Sequence, residues 1–148
     1  YLYAATVAAA TSDTWATEFG KLSKSKPISI TSFRTIEHGL SGGITMIGTF
    51  GSILGASIIG LAVYLLINSE LILIFGVIFT AFLSALLDSL IGDKLQAKYE
   101  TKSGKIIEKM QLDTNLISGY KFIDNNFVNI IATLAGPFLM YIFIYFTT

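Results

Sequence analysis

Three stretches of this chain are too long and too apolar to be anything but membrane-spanning helices. Residues 42–67 carry no charge, residues 71–91 carry only Asp88, near their end, and residues 127–146 again carry none. A helix needs about 20 apolar residues to cross about 30 Å of hydrocarbon. A lone strand cannot cross, because its backbone polar groups would go unsatisfied in lipid. A fourth segment, residues 1–19, is Ala-rich but interrupted by Asp13 and Glu18, which makes it the most polar of the four. Only 14% of the chain is charged and 53% is hydrophobic, against about a quarter charged in a soluble domain. The expected fold is an all-α polytopic transmembrane bundle, one domain over 1–148, with spanning helices at about 1–19, 42–67, 71–91 and 127–146.

The linkers orient it. Every Lys and Arg lies either in 20–41 (Lys21, Lys24, Lys26, Arg34) or in 92–126 (Lys94, Lys98, Lys102, Lys105, Lys109, Lys121), and the turn at 68–70 has none. Basic loops stay cytoplasmic. Four crossings place both basic linkers on one side, so the charge rule and the topology agree, with Tyr1 and Thr148 outside. The usage of Ile, Lys and Asn suggests a prokaryotic cell membrane. The chain opens at Tyr1 on sequence that already reads as membrane, which suggests a piece lacking upstream helices; residues 1–12 have no basic segment of a signal peptide.

Other features bound the chemistry. The net charge is zero, which gives no case for a nucleic-acid partner. Without cysteine, and with His38 alone, there is no disulfide, thiolate site or histidine-pair metal site. Gly48, Ser52, Ala56 and Gly60, with Gly51 and Gly55 beside them, let helices approach closely, within the chain or as a homo-oligomer seam along 42–67. Gly136-Pro137 marks a kink, and the nearby Phe138, Tyr141, Phe143, Tyr145 and Phe146 suit lipid contact and an interfacial belt. In 92–126, Lys94 to Tyr99 could prolong the third helix, Thr101 to Gly104 reads as a turn, and Ile106 to Met110 as a hairpin arm or surface helix.

Acids at membrane depth are costly and are functional candidates by default. Asp13 and Asp88 are the clearest, both at cytoplasmic helix ends. Their settings are alike, Ala10-Thr-Ser-Asp13-Thr14 and Ala85-Leu-Leu-Asp88-Ser89, with a small residue three before and a hydroxyl after. Such oxygen ligands suit Mg²⁺, and lysines such as Lys21 and Lys94 suit phosphate. The plainer alternative is capping, or pairing with Lys21 or Lys94. Thr17, four residues after Asp13, shares its helix face, whereas Glu18 and Asp93, five after each acid, do not and read as solvated charges. Gly39, Gly42 and Gly43 precede a long helix, whose N-terminus is a ready anion site; no Walker A pattern is present. His38 reads as a loop histidine. Asp124, Asn126 and Asn129 either cap the fourth helix or line the site.

Several blocks resemble one family. Ser12-Asp-Thr-Trp-Ala-Thr-Glu-Phe-Gly20, Ser23-Lys-Ser-Lys-Pro27, Gly39-Leu-Ser-Gly-Gly-Ile-Thr45, Leu87-Asp-Ser-Leu-Ile-Gly92 with Gln96, and Asp124-Asn-Asn-Phe-Val-Asn129 look like the integral membrane family called domain of unknown function ninety-two, which includes phytyl-phosphate kinase. The chain departs from its pattern at Leu40 and Ser41, where the family has threonine and asparagine. A wider likeness links Asp13-Thr-x-Ala16-x-x-x-Gly20-Lys21 and Arg34-Thr-Ile-Glu37-His-Gly39 to dolichol and phytol kinases and to CDP-diacylglycerol synthase. That resemblance implies a CTP- or ATP-dependent, Mg²⁺-dependent transferase acting on an isoprenoid or other lipid phosphate. It implies that Asp13 and Asp88 hold the metal, that Lys21, Lys26 and Arg34 hold nucleotide phosphates, and that Glu37 assists. The competing expectations are an ion or small-molecule transporter, whose acids would sit near the midplane, and a non-catalytic membrane scaffold.

Overall fold

The computed structural model describes residues 1–147; Thr148 lies outside the described residues. Four long helices account for most of it: α1 (Leu2–Lys21), α2 (Met46–Ile67), α3 (Leu71–Lys94) and α4 (Asn125–Thr147). Three of them, α2, α3 and α4, are long and apolar enough to cross a membrane. The Ala-rich α1 is not among those three, yet it runs the full length of the bundle. The Tyr1 hydroxyl bonds that of Ser69 in the α2–α3 turn, and at the other end Gly20 lies against Thr45 and Gly48 where α2 begins. At 1.5 Å per residue, its 20 residues make about 30 Å. The chain thus runs up and down four times, and both basic linkers meet at one end.

The small residues decide how closely the helices meet. A Cβ on Gly51 would stand 2.7 Å from Phe19 and from the Trp15 carbonyl, and one on Gly48 2.8 Å from the Ala16 carbonyl. Gly55 faces Thr11 and Trp15 in the same way, while Gly60 abuts Ile78 of α3. The glycine face of α2 is therefore packed within the chain by α1 and α3. Gly136 of α4 meets Ala5 and Ala9 of α1. The centre is thin and small-residued, built around Ala5, Ala8, Ala56, Val77, Ala81 and Met140. α4 continues through Pro137 as one helix. Phe143 turns inward onto Gly76, whereas Phe138, Tyr141, Tyr145 and Phe146 stay exposed.

The linkers are folded. Residues 22–45 form a strap in which β1 (Ile28–Ser29) pairs antiparallel with β2 (Gly43–Ile44). Residues 95–124 form a three-stranded antiparallel sheet of β3 (Lys98–Thr101), β4 (Ile106–Ile107) and β5 (Thr114–Ser118), in the order β4-β3-β5. The turn at 101–104 joins β3 to β4, as its Thr-Lys-Ser-Gly sequence suggests, but α3 stops at Lys94 and gives way to strand rather than more helix.

Asp93 ties strap to bundle. It accepts from Ser29 Oγ at 2.6 Å, from Thr31 Oγ1 at 2.5 Å and from the Thr31 amide at 3.2 Å, and pairs with Lys98 at 3.2 Å. The expectation of a solvated charge fails here, because the pair's side chains are only 12% and 10% exposed. A buried charge is retained where partners fill its lone pairs, and two of these partners, Ser29 and Thr31, lie more than sixty residues upstream.

Asp124 caps α4, accepting the Phe127 amide at 2.8 Å. Asp124→Ala is expected to lower stability by about 1 kcal/mol, read as a modest drop in thermal midpoint with ligand binding unchanged. A drop in binding instead would assign Asp124 to the site.

Candidate functional site

The basic end of the bundle holds a cavity of about 560 Å³, within the usual range for small-ligand sites. Each helix contributes a wall. α1 supplies Asp13, Thr14, Thr17 and Lys21; α2 supplies Gly48, Thr49 and Ser52; α3 supplies Ala85, Asp88 and Ser89; α4 supplies Asn125 and Asn129. The strap covers it with His38 to Thr45, and the hairpin after β4 adds Glu108. The floor is polar too, since Ser12 and Ser52 join α1 to α2 through their hydroxyls at 2.7 Å.

Asp13 on α1 and Asp88 on α3 both line this cavity. The charges of Asp13 and Glu108 both act on Asp88. Among the described residues neither Asp13 nor Asp88 belongs to an ion pair, so the plainer reading, pairing with Lys21 or Lys94, does not hold. Lys21 instead pairs with Glu18 at 2.5 Å on the exposed rim. With its amide nitrogen turned toward the acceptors around it, Asn129 donates to Asp88 Oδ2 at 3.0 Å. Asn129 thus belongs to the site rather than to the helix cap.

The cover is held by glycine. Gly42 has φ +85°, and a Cβ there would stand 2.2 Å from Asp93 Cβ. The strap can approach the end of α3 only without a side chain at this position. Gly39, Gly43 and Leu40 also line the cavity.

Several expected site residues lie elsewhere. Glu37 pairs with Lys26 at 2.5 Å, with exposures of 73% and 57%. The hydrogen bond from Lys26 holds the Glu37 carboxyl below the usual carboxylate range, so Glu37 is a surface carboxylate in an ion pair, outside the cavity, and Lys26 is engaged with it. Arg34 and Lys94 are exposed, and neither they nor Asp124 and Asn126 line the cavity. Conversely, Glu108, Ser41, Thr49, Asn125 and His38 do line it. Nothing in their local spacing shows this, because the strap and the hairpin reach the cavity only through long-range folding. The available signal was family resemblance: Ser41, Asn125 and His38 fall within the matching blocks, and Gln96, picked out with them, proves to hold Glu108.

Oxygen donors on four helices around one polar cavity, at the basic end of an apolar bundle, mark a polytopic helical membrane protein with a candidate site at one end of the bundle. Residues 1–137 match the family described as Integral membrane protein DUF92; the chain belongs to that family and is a multi-pass integral membrane protein. It is 37% identical over 134 residues to an uncharacterized membrane protein of Methanocaldococcus jannaschii, covering 90% of this chain and 47% of that relative. It is 29% identical over 149 residues to Protein PGR of Arabidopsis thaliana, covering 86% of this chain and 48% of the relative. The chain thus spans about half the length of these relatives. No solved structure matches it.

Proposed function

We propose that this cavity is the active site of a membrane-embedded transferase that uses Mg²⁺ and CTP or ATP on an isoprenoid or other lipid phosphate. It is phytyl-phosphate-kinase-like or cytidylyltransferase-like, with the lysine-rich face in the cytoplasm. The observation that carries the reading is that Asp13 and Asp88, neither in an ion pair among the described residues, line one polar cavity at the bundle's basic end. Transfer at phosphorus depends mainly on positioning and charge neutralisation, and a cavity with acids on two walls and donors on the others offers both.

The donor set suits Mg²⁺. It is all oxygen, and among the described residues no three His, Cys, Asp or Glu side chains converge as a metal cage. Mg²⁺ ordinarily takes one or two carboxylates and fills its shell with water and substrate phosphates. Asp13 and Asp88 would hold it, and the ion would neutralise phosphate charge. Asn129 keeps Asp88 oriented, Thr17 and Ser89 line the walls around the two acids, and Lys21 at the rim offers a cation once released from Glu18.

A second, apolar groove of about 420 Å³ runs along α1 and α4 past Val7, Ala10 and Trp15. It shares Thr14 with the polar cavity. This adjacency suits one molecule with a phosphate in the cavity and a hydrocarbon tail in the groove. Depth favours the transferase over a transporter, since Asp88 lies six residues from the end of α3 rather than at mid-helix.

The test is turnover of a panel of isoprenoid and acyl phosphates by the purified full-length protein with Mg²⁺ and CTP or ATP. Conversion of at least one lipid is expected, and conversion of none counts against the reading. With a lipid in hand, Ala10→Trp is expected to raise its KM roughly tenfold or more by filling the groove, with nucleotide affinity unchanged. An unchanged lipid KM would remove the tail from this groove.

A further inference from the structure

Glu108 sits in an unusual place for a hairpin carboxylate. Its Oε1 accepts the Ser41 amide at 2.5 Å, and its Oε2 accepts the Ser41 hydroxyl and the Gln96 side-chain nitrogen, each at 2.8 Å. Three donors from two distant elements therefore converge on one carboxylate. They are fixed in place: Ser41 adjoins Gly42, which is wedged against Asp93, and Gln96 is 1% exposed. The Gln96 carbonyl oxygen is buried without a partner, which leaves an acceptor on the same amide.

The acid that fills this cradle is loosely held by comparison. It follows β4, an edge strand of two residues paired to β3 only through Tyr99↔Ile107 and Glu100↔Ile106. Residues 109–113 beyond it are exposed. Elements with so few buried contacts open at low free-energy cost. Glu108 also brings a further negative charge close enough to act on Asp88. A backbone N–H, a hydroxyl and an amide N–H converging on two oxygens are equally a seat for phosphate.

We propose that the Ser41–Gln96 cradle is a phosphate-binding subsite, and that Glu108 is an internal placeholder that leaves it when a phosphate-bearing ligand enters. The shared chemistry is a phosphate dianion, carried either by the nucleotide or by the lipid headgroup. The transferase reading bears only on which carrier it is. The hairpin thereby couples ligand arrival to a movement of the β3–β4–β5 sheet's edge.

The test compares the full-length wild type with Glu108→Gln, titrated separately with inorganic pyrophosphate and with a water-soluble short-chain prenyl phosphate. If the placeholder fills the seat about nine-tenths of the time, removing its charge tightens binding about tenfold. Tightening for pyrophosphate alone assigns the seat to the nucleotide, and tightening for the prenyl phosphate alone assigns it to the lipid headgroup. Ser41→Ala, which removes a donor, is expected to weaken whichever ligand gains. Unchanged or weaker binding by a Glu108→Gln protein of wild-type thermal midpoint would overturn the proposal. A fluorophore on Lys109→Cys gives an independent readout, because the chain has no cysteine: its emission should change when pyrophosphate is added to otherwise wild-type protein, and a silent probe would also count against the placeholder. Failure of this inference is separable from failure of the transferase reading, since the latter shows as Mg²⁺–nucleotide binding that is absent or indifferent to Asp13.

Discussion

Asp13→Asn is expected to abolish measurable turnover of any lipid phosphate the protein converts, a loss on the order of 100-fold or more. The figure is a lower bound by comparison, because removing even an outer partner of a metal ligand costs about 10–100-fold. Asparagine keeps the shape of the side chain, and Asp13 is in no ion pair among the described residues, so the fold should not suffer. Asp88→Asn should cost as much in turnover. It alters one further contact, because Asp88 accepts from Asn129. The double variant should be little worse than either single one, since groups that act as a unit are not additive. Thermal midpoints close to wild type would accompany the loss, because neither substitution breaks an ion pair among the described residues. A variant that kept full turnover would remove its residue from the chemistry.

Gly42→Ala is expected to be the most damaging small substitution at the site. The added Cβ would meet Asp93 Cβ at 2.2 Å and Asp93 Cα at 2.6 Å, in a backbone at φ +85° that disfavours any side chain. Left-handed strain alone costs roughly 1–2 kcal/mol, and overpacking adds about 1–3 kcal/mol. The strap must lift from α3, which loosens the Asp93 bonds to Ser29 and Thr31 and moves Ser41 from Glu108. Gly104→Ala is the matched control: its φ is +79°, but nothing lies within 4 Å of the new Cβ, so only the strain remains. Thermal denaturation of the two variants separates clash from strain. Equal losses would mean that Gly42 matters for its backbone angle and not for its closeness to Asp93.

The bundle was legible because lipid imposes a long, simple signal. Uncharged runs gave α2, α3 and α4 to within a few residues, and the confinement of all cations to two linkers gave the shared end. α1 was harder for a physical reason: surrounded by three apolar helices, it can be built of Ala, Thr and Ser, so its own hydropathy is weak. Asp13 and Asp88 were visible because acids in apolar surroundings stand out. The cover was not visible. β1, β2 and β4 are two residues each, too short for any periodicity, and the contacts that matter are remote, with Ser41 and Glu108 67 positions apart. Local spacing made Asp93 look solvated, and family resemblance made Glu37 look like a site acid. Strap folding reversed both, burying the first against Lys98 and leaving the second on the surface with Lys26.

The most direct test of the central claim is calorimetric titration of CTP and of ATP into the purified full-length protein in detergent, each with and without Mg²⁺. The account predicts saturable binding of at least one nucleotide that requires Mg²⁺ and disappears in Asp13→Asn. Binding of neither nucleotide in the presence of Mg²⁺ would contradict it, and an Asp13-dependent cation flux in liposomes would then make the cavity a transport site.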